Sequence, residues 1–382
     1  MEFALSEEQR ELRSMVRDFA ETQVARAQEQ MDADHEFPYD VWARWSDLGM
    51  AGILIPEEFG GSGLDSLTYI LAMEEVGRVS QTFALIWQVH VLVANMYVQL
   101  GSAEQKAKWL PHFARGEKLG AIALTESGAG SDTAGMRTRA VRDSNAGWLL
   151  NGDKIFISNA GTRISDGTVV MAVTGERANG RKAISSFILP AGTPGYELGQ
   201  SFDKMAWHGM DNRELVFNDV RLPNECLLGI EGEGLKQALG GLNLGRIVFG
   251  TLGGALIQAC LDEALAYAKE RKQFGKPLST FQLTQAKLAD MAAHAEAVRS
   301  FARRVAWMHA ERQDCHTEAA MLKLVGTRLA IEAAAEAYQI HGGYGFMHEY
   351  RVNRLYREAQ ILAIGEGTNE IQQILVARAL GC

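Results

Sequence analysis

Ala121-Ile122-Ala123-Leu124-Thr125-Glu126-Ser127-Gly128-Ala129-Gly130-Ser131-Asp132 is where the chain changes period. Before it, apolar residues recur at helical spacing. Here a short apolar run breaks into a loop of small and polar residues, which reads as a strand end and turn rather than another helix. The runs that follow have the same character: Trp148–Leu150, Lys154–Ser158, Thr168–Thr174, Ser185–Leu189 and Glu214–Phe217. Asn151-Gly152, Asp166-Gly167 and Asn179-Gly180 punctuate them as turns. No β–α–β alternation is visible, so a Rossmann sheet is disfavoured and a small barrel- or sandwich-like β-domain is expected over 121–230.

Outward from this zone the pattern is helical on both sides. In the stretch 1–120, Ser6-Glu7-Glu8-Gln9 and Ser102-Ala103-Glu104-Gln105 are capping boxes, with Leu5 placed as a staple. Tyr69–Val76 and Phe83–Leu100 are too densely apolar for surface helices and belong inside a helical layer. In the stretch 231–382, helices are expected over Ala255–Lys272, Gln282–Ala310, Thr317–Ile340 and Ile371–Leu380. Helices of that length in series form a four-helix bundle. The fold class is therefore α+β and multidomain, in the order all-α, β, α-bundle.

Composition narrows the function classes. The chain has 382 residues and a net charge of -9, which argues against nucleic acid as a partner. No run approaches about 18 consecutive apolar residues, the length of a membrane span. The Met1-Glu2-Phe3-Ala4 opening lacks the pattern of a signal or transit peptide, so a cytoplasmic location is expected. Cys226, Cys260, Cys315 and Cys382 are scattered without a CxxC pair, so neither a disulfide frame nor a metal site is expected.

Several segments carry potential chemistry. The glycine-rich part of 121–132 lets backbone N–H groups and hydroxyls approach a flat or anionic ligand. Phe156 and Ser158 share one face of a strand and suit a ring with polar edges. Arg271 in Arg271-Lys272-Gln273-Phe274-Gly275 closes a helix, where it can grip a diphosphate or simply offset the helix dipole. Gln339-Ile340-His341-Gly342-Gly343-Tyr344-Gly345-Phe346 joins a helix end to glycines, and His341 has no nucleophile motif to serve. In Gly365-Glu366-Gly367-Thr368-Asn369-Glu370, a carboxylate stands between glycines just before a capped helix. A glutamate held that way can enter a cleft with a raised pKa, as a general base requires. Taken singly, each segment also fits a plain structural role: a surface turn, sheet packing, a C-cap or a solvated carboxylate.

Taken in order, these segments closely resemble the acyl-CoA dehydrogenase family over essentially the whole chain. Thr125–Asp132 with Ala134-Gly135 resembles the family's first signature. Gln339–Glu358, with Glu349, Arg354 and Glu358, resembles its second, and Leu288-Ala289-Asp290-Met291 and Glu366-Gly367-Thr368 complete the pattern. The resemblance implies FAD as cofactor. Leu124, Thr125 and Ser131 would lie against the flavin and its phosphate, Phe156 on the isoalloxazine, and Ser158 near N5. Arg271, Phe274, Gln339 and Gly343 would hold the diphosphate and adenosine half across a subunit interface, with Thr368 and Glu370 on the adenosine side. It implies Glu366 as the base that takes the α-proton of an acyl-CoA while the β-hydrogen passes as hydride to flavin N5. Ser131, Asn243, Arg246, Gly365 and Gly367 would contact substrate. A homotetramer and an electron-transfer flavoprotein as acceptor are further implications.

The departures from the family pattern carry their own expectations. Ser127 replaces a common proline and Asn243 a usual aspartate. Gly245 occupies the position where one branch of the family carries its base, which leaves Glu366 as the matched candidate. Gly365 replaces a frequent tyrosine, so a wider pocket and a branched or cyclic acyl group are expected. Gln88, His90 and Met96 fall on the helix that ends the acyl tunnel in relatives; a polar acyl group is one reading, a satisfied core histidine the other. The competing functions are dehydrogenation of a carrier-protein-bound acyl or aminoacyl thioester, a flavin oxidase or monooxygenase of the same fold, and an inactive scaffold.

Overall fold

The computed structural model describes residues 4–143 and 147–382, apart from the side chains of Leu239 and Leu242. The reading made on Met1-Glu2-Phe3 lies outside the described residues.

The first zone is helical: α1 (Glu7–Phe19), a π-turn at Ala20–Val24, α2 (Ala25–Asp34), α3 (Tyr39–Asp47), α4 (Ser66–Val79), α5 (Gln81–Leu100) and α6 (Ala103–Ala114). Both capping boxes form, with Ser6 and Ser102 accepting from the N3 amide while the N3 glutamine returns to the cap amide. α4 and α5 are buried around most of their circumference, as their density of apolar residues requires. α5 is long and apolar enough to cross a membrane by composition, yet 72% of that window is buried inside the fold. Trp87 on α5 packs edge-on against Trp45 and Tyr69, each at 4.9 Å, which fixes the rotation of α5 and so the direction of its neighbour Gln88.

The middle zone contains β1 (Ile122–Ala123), β2 (Arg139–Asp143), β3 (Gly147–Ser158), β4 (Thr168–Glu176), β5 (Lys182–Leu189), β6 (Tyr196–Ser201), β7 (Asn212–Pro223) and β8 (Leu227–Leu228). They form an eight-stranded sheet in the order β6-β7-β3-β2-β4-β5-β8, with β1 added beside β4. Among the described residues, the β1·β4 and β2·β4 strand pairings are parallel and the other strand pairings of this sheet antiparallel. One expectation is corrected here. Trp148–Leu150 and Lys154–Ser158 are a single strand, and Asn151-Gly152 lies inside it as a register shift rather than a turn. Gly152 sits at φ 138°, and a Cβ there would fall 2.7 Å from the Thr138 backbone, so this glycine marks a bulge and a close approach.

The last zone holds α7 (Gly234–Glu270), a small hairpin of β9 (Lys272–Gln273) and β10 (Lys276–Pro277), α8 (Gln282–Ala310), α9 (His316–His341), α10 (Arg351–Leu362) and α11 (Asn369–Ala379). α7 begins far earlier than the expected Ala255. Several of its glycines lie at a helix–helix contact. A Cβ on Gly253 would lie 2.5 Å from the Gly326 carbonyl on α9, and one on Gly326 2.7 Å from the Gly250 carbonyl. Contact with α9 at backbone distance offsets the roughly 1 kcal/mol that each helical glycine costs. A single core cluster joins residues of α1–α5 to residues of α7–α10, so the first and last zones are packed as one body.

Candidate active site

The segment after α10 reverses sharply. The amides of Ile364 and Gly365 both bond to the Ile361 carbonyl, at 2.9 and 3.0 Å. Glu366 (φ 54°) and Gly367 (φ 83°) are then both left-handed, and the Thr368 hydroxyl caps α11 by accepting from Ile371. A left-handed glutamate costs on the order of 1–3 kcal/mol and persists only where its surroundings over-determine it. They do so here. The Asn369 amide bonds to the Ala363 carbonyl at 2.9 Å. Gln372 donates to the Gly367 carbonyl at 2.9 Å and the Glu366 carbonyl at 3.3 Å. From α9, the fully buried Lys323 donates to the Ala363 carbonyl at 3.1 Å and Asn369 Oδ1 at 3.0 Å, where Thr327 also donates at 2.9 Å. Lys323, Thr327 and Gln372 were not singled out in sequence. Their only signal was a lysine inside an otherwise apolar helical pattern.

The side chain of Glu366 points across to two other helices. Gln88 Nε2 on α5 donates to Oε1 at 3.1 Å. On α7, a Cβ built at Gly245 would lie 2.9 Å from Cδ and Oε2 and 3.2 Å from Oε1, so the carboxylate rests on bare helix backbone. Burial pushes the Glu366 carboxyl above the usual carboxylate range, against the Gln88 hydrogen bond and the nearby charges of Arg246 and Lys323. Burial likewise draws Lys323 down to about 8, opposed by Glu366 and Glu370. The Tyr69 hydroxyl, buried and without a hydrogen-bond partner, is raised by burial and by the Glu366 charge. The Glu366 amide N–H meets no protein acceptor among the described residues, so it remains available to a ligand oxygen.

Arg246 sits near this carboxylate on α7, with Asn243 bonded to it. Arg246 is 5% exposed and donates to Asn243 Oδ1 at 3.0 Å, while its Nε has no partner. Gly365 does not leave the room expected of it. A Cβ there would lie 2.8 Å from Phe249 Cε1, so a ring from α7 fills the space and the argument for a bulkier acyl group fails. His90 is the satisfied core residue: it accepts from the Gly120 amide at 3.2 Å, bonds the Phe113 carbonyl at 3.1 Å, and is pushed down to about 4 by burial. Met96 is buried in the core between α5 and the sheet.

A second group of residues gathers on the sheet. The turn after β1 closes on itself through Glu126 and Ala129, whose backbones exchange hydrogen bonds of 3.0 and 3.1 Å. Lys154 pins that turn from β3. It is fully buried and donates to the Leu124 carbonyl at 2.9 Å and to Glu126 at 2.8 Å, while Glu126 also accepts from the amides of Arg137 and Thr138. Thr125 O accepts from Ile155, so Leu124 and Thr125 are held against β3, with Gly128, Gly130 and Ser131 in the open. Phe156 is 60% exposed, left-handed at φ 61°, and 5.3 Å from the Phe202 ring. Asn212, also missed in sequence, ties the Phe156 carbonyl at 2.9 Å to the Ser158 hydroxyl at 3.2 Å.

A third group lies apart from these. Arg271 caps α7 with its guanidinium 5.2 Å from the Tyr344 ring. Phe274 stands at the hairpin tip with φ 52° and 92% exposure, and Gln339 and Gly343 are exposed nearby in sequence to Tyr344. Among the described residues no hydrogen bond or ring contact joins this group to Phe156 or the 124–132 turn. His341 bonds the Ala337 carbonyl at 2.8 Å and stacks on Tyr267, a structural role. Glu370 is exposed in the first turn of α11, where its own amide and the Thr368 hydroxyl lower its pKa.

Comparison with known proteins gives a consistent result. Family models described as acyl-CoA dehydrogenase N-terminal, middle and C-terminal domains match residues 6–117, 121–220 and 232–381. A probable acyl-CoA dehydrogenase of Bacillus subtilis is 42% identical over 381 residues, covering 100% of both chains. The structure of butyryl-CoA dehydrogenase from Megasphaera elsdenii superposes with a TM-score of 0.95 at 38% identity, over 100% of both chains. The prolyl acyl carrier protein oxidase AnaB superposes with a TM-score of 0.91 at 28% identity, over 99% of this chain and 100% of that one.

Proposed function

The chain belongs to the acyl-CoA dehydrogenase family, flavoproteins that oxidise CH–CH groups, and from that premise we propose that Glu366 is its α-proton base and a short saturated acyl-CoA its substrate. The observation that carries this reading is the desolvated Glu366 carboxylate, held on a left-handed turn between Gln88 and the bare backbone of Gly245. A base works best when its pKa approaches the working pH, and burial moves Glu366 in that direction. The free Glu366 amide can donate to the thioester carbonyl as charge develops there, so one residue both takes the proton and stabilises the enolate. Phe249, closing the space over Gly365, favours a short, unbranched chain.

The residues on the sheet fit FAD, the cofactor of this family. The turn pinned by Lys154 offers open glycines and the Ser131 hydroxyl, and Phe156 presents an exposed ring beside Ser158. Leu124, Thr125, Ser131, Phe156 and Ser158 would hold the flavin half. Arg271, Phe274, Gln339 and Gly343 would hold the diphosphate and adenosine half of a second subunit's cofactor, with Thr368 and Glu370 on the adenosine side. Among the described residues no contact joins the third group to the flavin-side residues, which supports that division; a homotetramer is the family expectation. Bound FAD supplies the acceptor for the β-hydrogen, which leaves as hydride. Ser131, Asn243, Arg246, Gly365 and Gly367 would line the acyl-CoA path. An electron-transfer flavoprotein would reoxidise the enzyme; one solved structure similar to this chain, at 39% identity, is titled for the electron transferring flavoprotein of Acidaminococcus fermentans. We read 1–120, 121–230 and 231–382 as three domains, because helices give way to sheet after Ala114 and return at Gly234. A cytoplasmic location matches the bacterial relatives.

The test is anaerobic bleaching of the flavin bands by butyryl-CoA in the native protein and in Glu366→Gln. Loss of about 10²–10⁴-fold in rate, with FAD retained, is expected for removal of a general base. Bleaching at the native rate in the variant would move the base elsewhere. Bleaching only by a carrier-loaded thioester would replace CoA as the handle.

A further inference from the structure

We infer that His35, His208 and Asp203 form a divalent transition-metal site that clamps the loop between β6 and β7 onto the end of α2. The inference does not depend on the proposed reaction, since none of these residues belongs to the site above.

Donor atoms of the three side chains all lie within 4.8 Å of one another. His35 is the left-handed C-cap of α2 at φ 62°, and His208 follows Trp207, left-handed at φ 61°. Two strained non-glycine residues thus bring together rings from distant parts of the chain, which stack at 4.0 Å with 15° between planes. The strain falls on His35 itself and on the residue preceding His208, and backbone strain of that kind persists where a contact over-determines it.

The protonation pattern of His208 suits a ligand. Its Nε2 lies 2.9 Å from the Lys204 carbonyl, which can only accept, so Nε2 carries the proton and Nδ1 presents its lone pair. A backbone carbonyl fixing the tautomer of a ligating imidazole is the usual outer support of such sites. Asp32 Oδ1 is 3.8 Å from Nδ1 and adds negative potential without being free to ligate, since it already receives Gln28 at 3.0 Å and Arg354 at 3.0 Å. Arg357 is engaged as well, on the Met205 carbonyl at 2.6 Å.

Two imidazoles and one carboxylate select zinc, cobalt, nickel or copper over magnesium or calcium. A tetrahedral ion with bonds of about 2.0–2.1 Å needs donors roughly 3.3 Å apart. His35 and Asp203 are exposed and free to rotate, and binding requires the His35 ring to turn out of its stack on His208, because two parallel rings cannot aim their lone pairs at one ion. The fourth position stays open to water. The loop so clamped also carries Phe202, the ring against Phe156, so occupancy is transmitted to the exposed face of the sheet.

The test uses tag-free holoprotein stripped with chelator and titrated with Zn²⁺ by calorimetry and equilibrium dialysis. One Zn²⁺ per chain is expected, weakened about tenfold or more in His35→Ala and in His208→Ala. His348→Ala, at another exposed histidine, should bind as the native protein does. Circular dichroism and retained flavin check that the variants are folded. Absence of stoichiometric binding, or binding unchanged in both ligand variants, overturns the site.

Discussion

Gly245→Ala tests the geometry of the carboxylate without touching its chemistry. The new methyl would stand 2.9 Å from Glu366 Cδ and Oε2, against about 3.4 Å or more for an ordinary contact. The helix backbone of α7 cannot yield, so the carboxylate must move by about 0.5 Å, stretching the 3.1 Å bond from Gln88. A displacement near 1 Å costs about 10²-fold in rate, so about tenfold is expected here, in kcat rather than KM. Stability should move the other way. Alanine in a helix gains roughly 0.5–1 kcal/mol over glycine, so Tm should hold or rise by about 2 °C. The assay is stopped-flow bleaching with butyryl-CoA beside a thermal melt. A variant that keeps native kcat would show that Glu366 does not act from the position seen, and a large fall in Tm would show that the contact is structural.

Further variants probe the buried charges. Lys323→Met removes a cation whose presence lowers the Glu366 pKa, so the acid limb of the kcat/KM profile should move to higher pH; an unmoved limb would confine Lys323 to holding the loop. Lys154→Met strands the Glu126 carboxylate beneath the turn and should cost about 3–5 kcal/mol with loss of flavin retention, read by denaturant melts and absorbance. Glu358, buried and pushed up to about 7, binds a proton more readily folded than unfolded. Its contribution is therefore lost as pH rises from the ordinary carboxylate value through about 7, and Glu358→Gln should gain stability relative to the native protein at pH 8 over pH 5. A pH-independent difference between the two proteins would refute that.

The local patterns were legible because their causes are local. A capping serine needs only the residue three places on, and both boxes formed as read. The run Gln282–Ala310 became a helix with those same bounds, since polar and apolar residues alternate at one period throughout. Where a residue answers to a distant neighbour, the reading failed. The helix expected from Ala255 begins at Gly234, because the α9 backbone that excludes a side chain at Gly250 and Gly253 is absent from the local pattern. Asn151-Gly152 looked like a turn because a bulge uses the same residues.

The sequence by itself determined the order of helical, β and helical zones and the family, and pointed to Glu366 as the candidate base, since those rest on periodicity and on motifs contiguous in the chain. Only the tertiary structure decided that Gly245 is bare because Glu366 lies on it, and that Phe249 fills the space over Gly365. It also decided that Lys323 and Gln372 hold the reversed turn, that Lys154 anchors the Leu124 loop, and that His35 meets His208. Each of these is a steric or electrostatic relation between residues remote in sequence, and distance in space is set by packing, which no local pattern encodes.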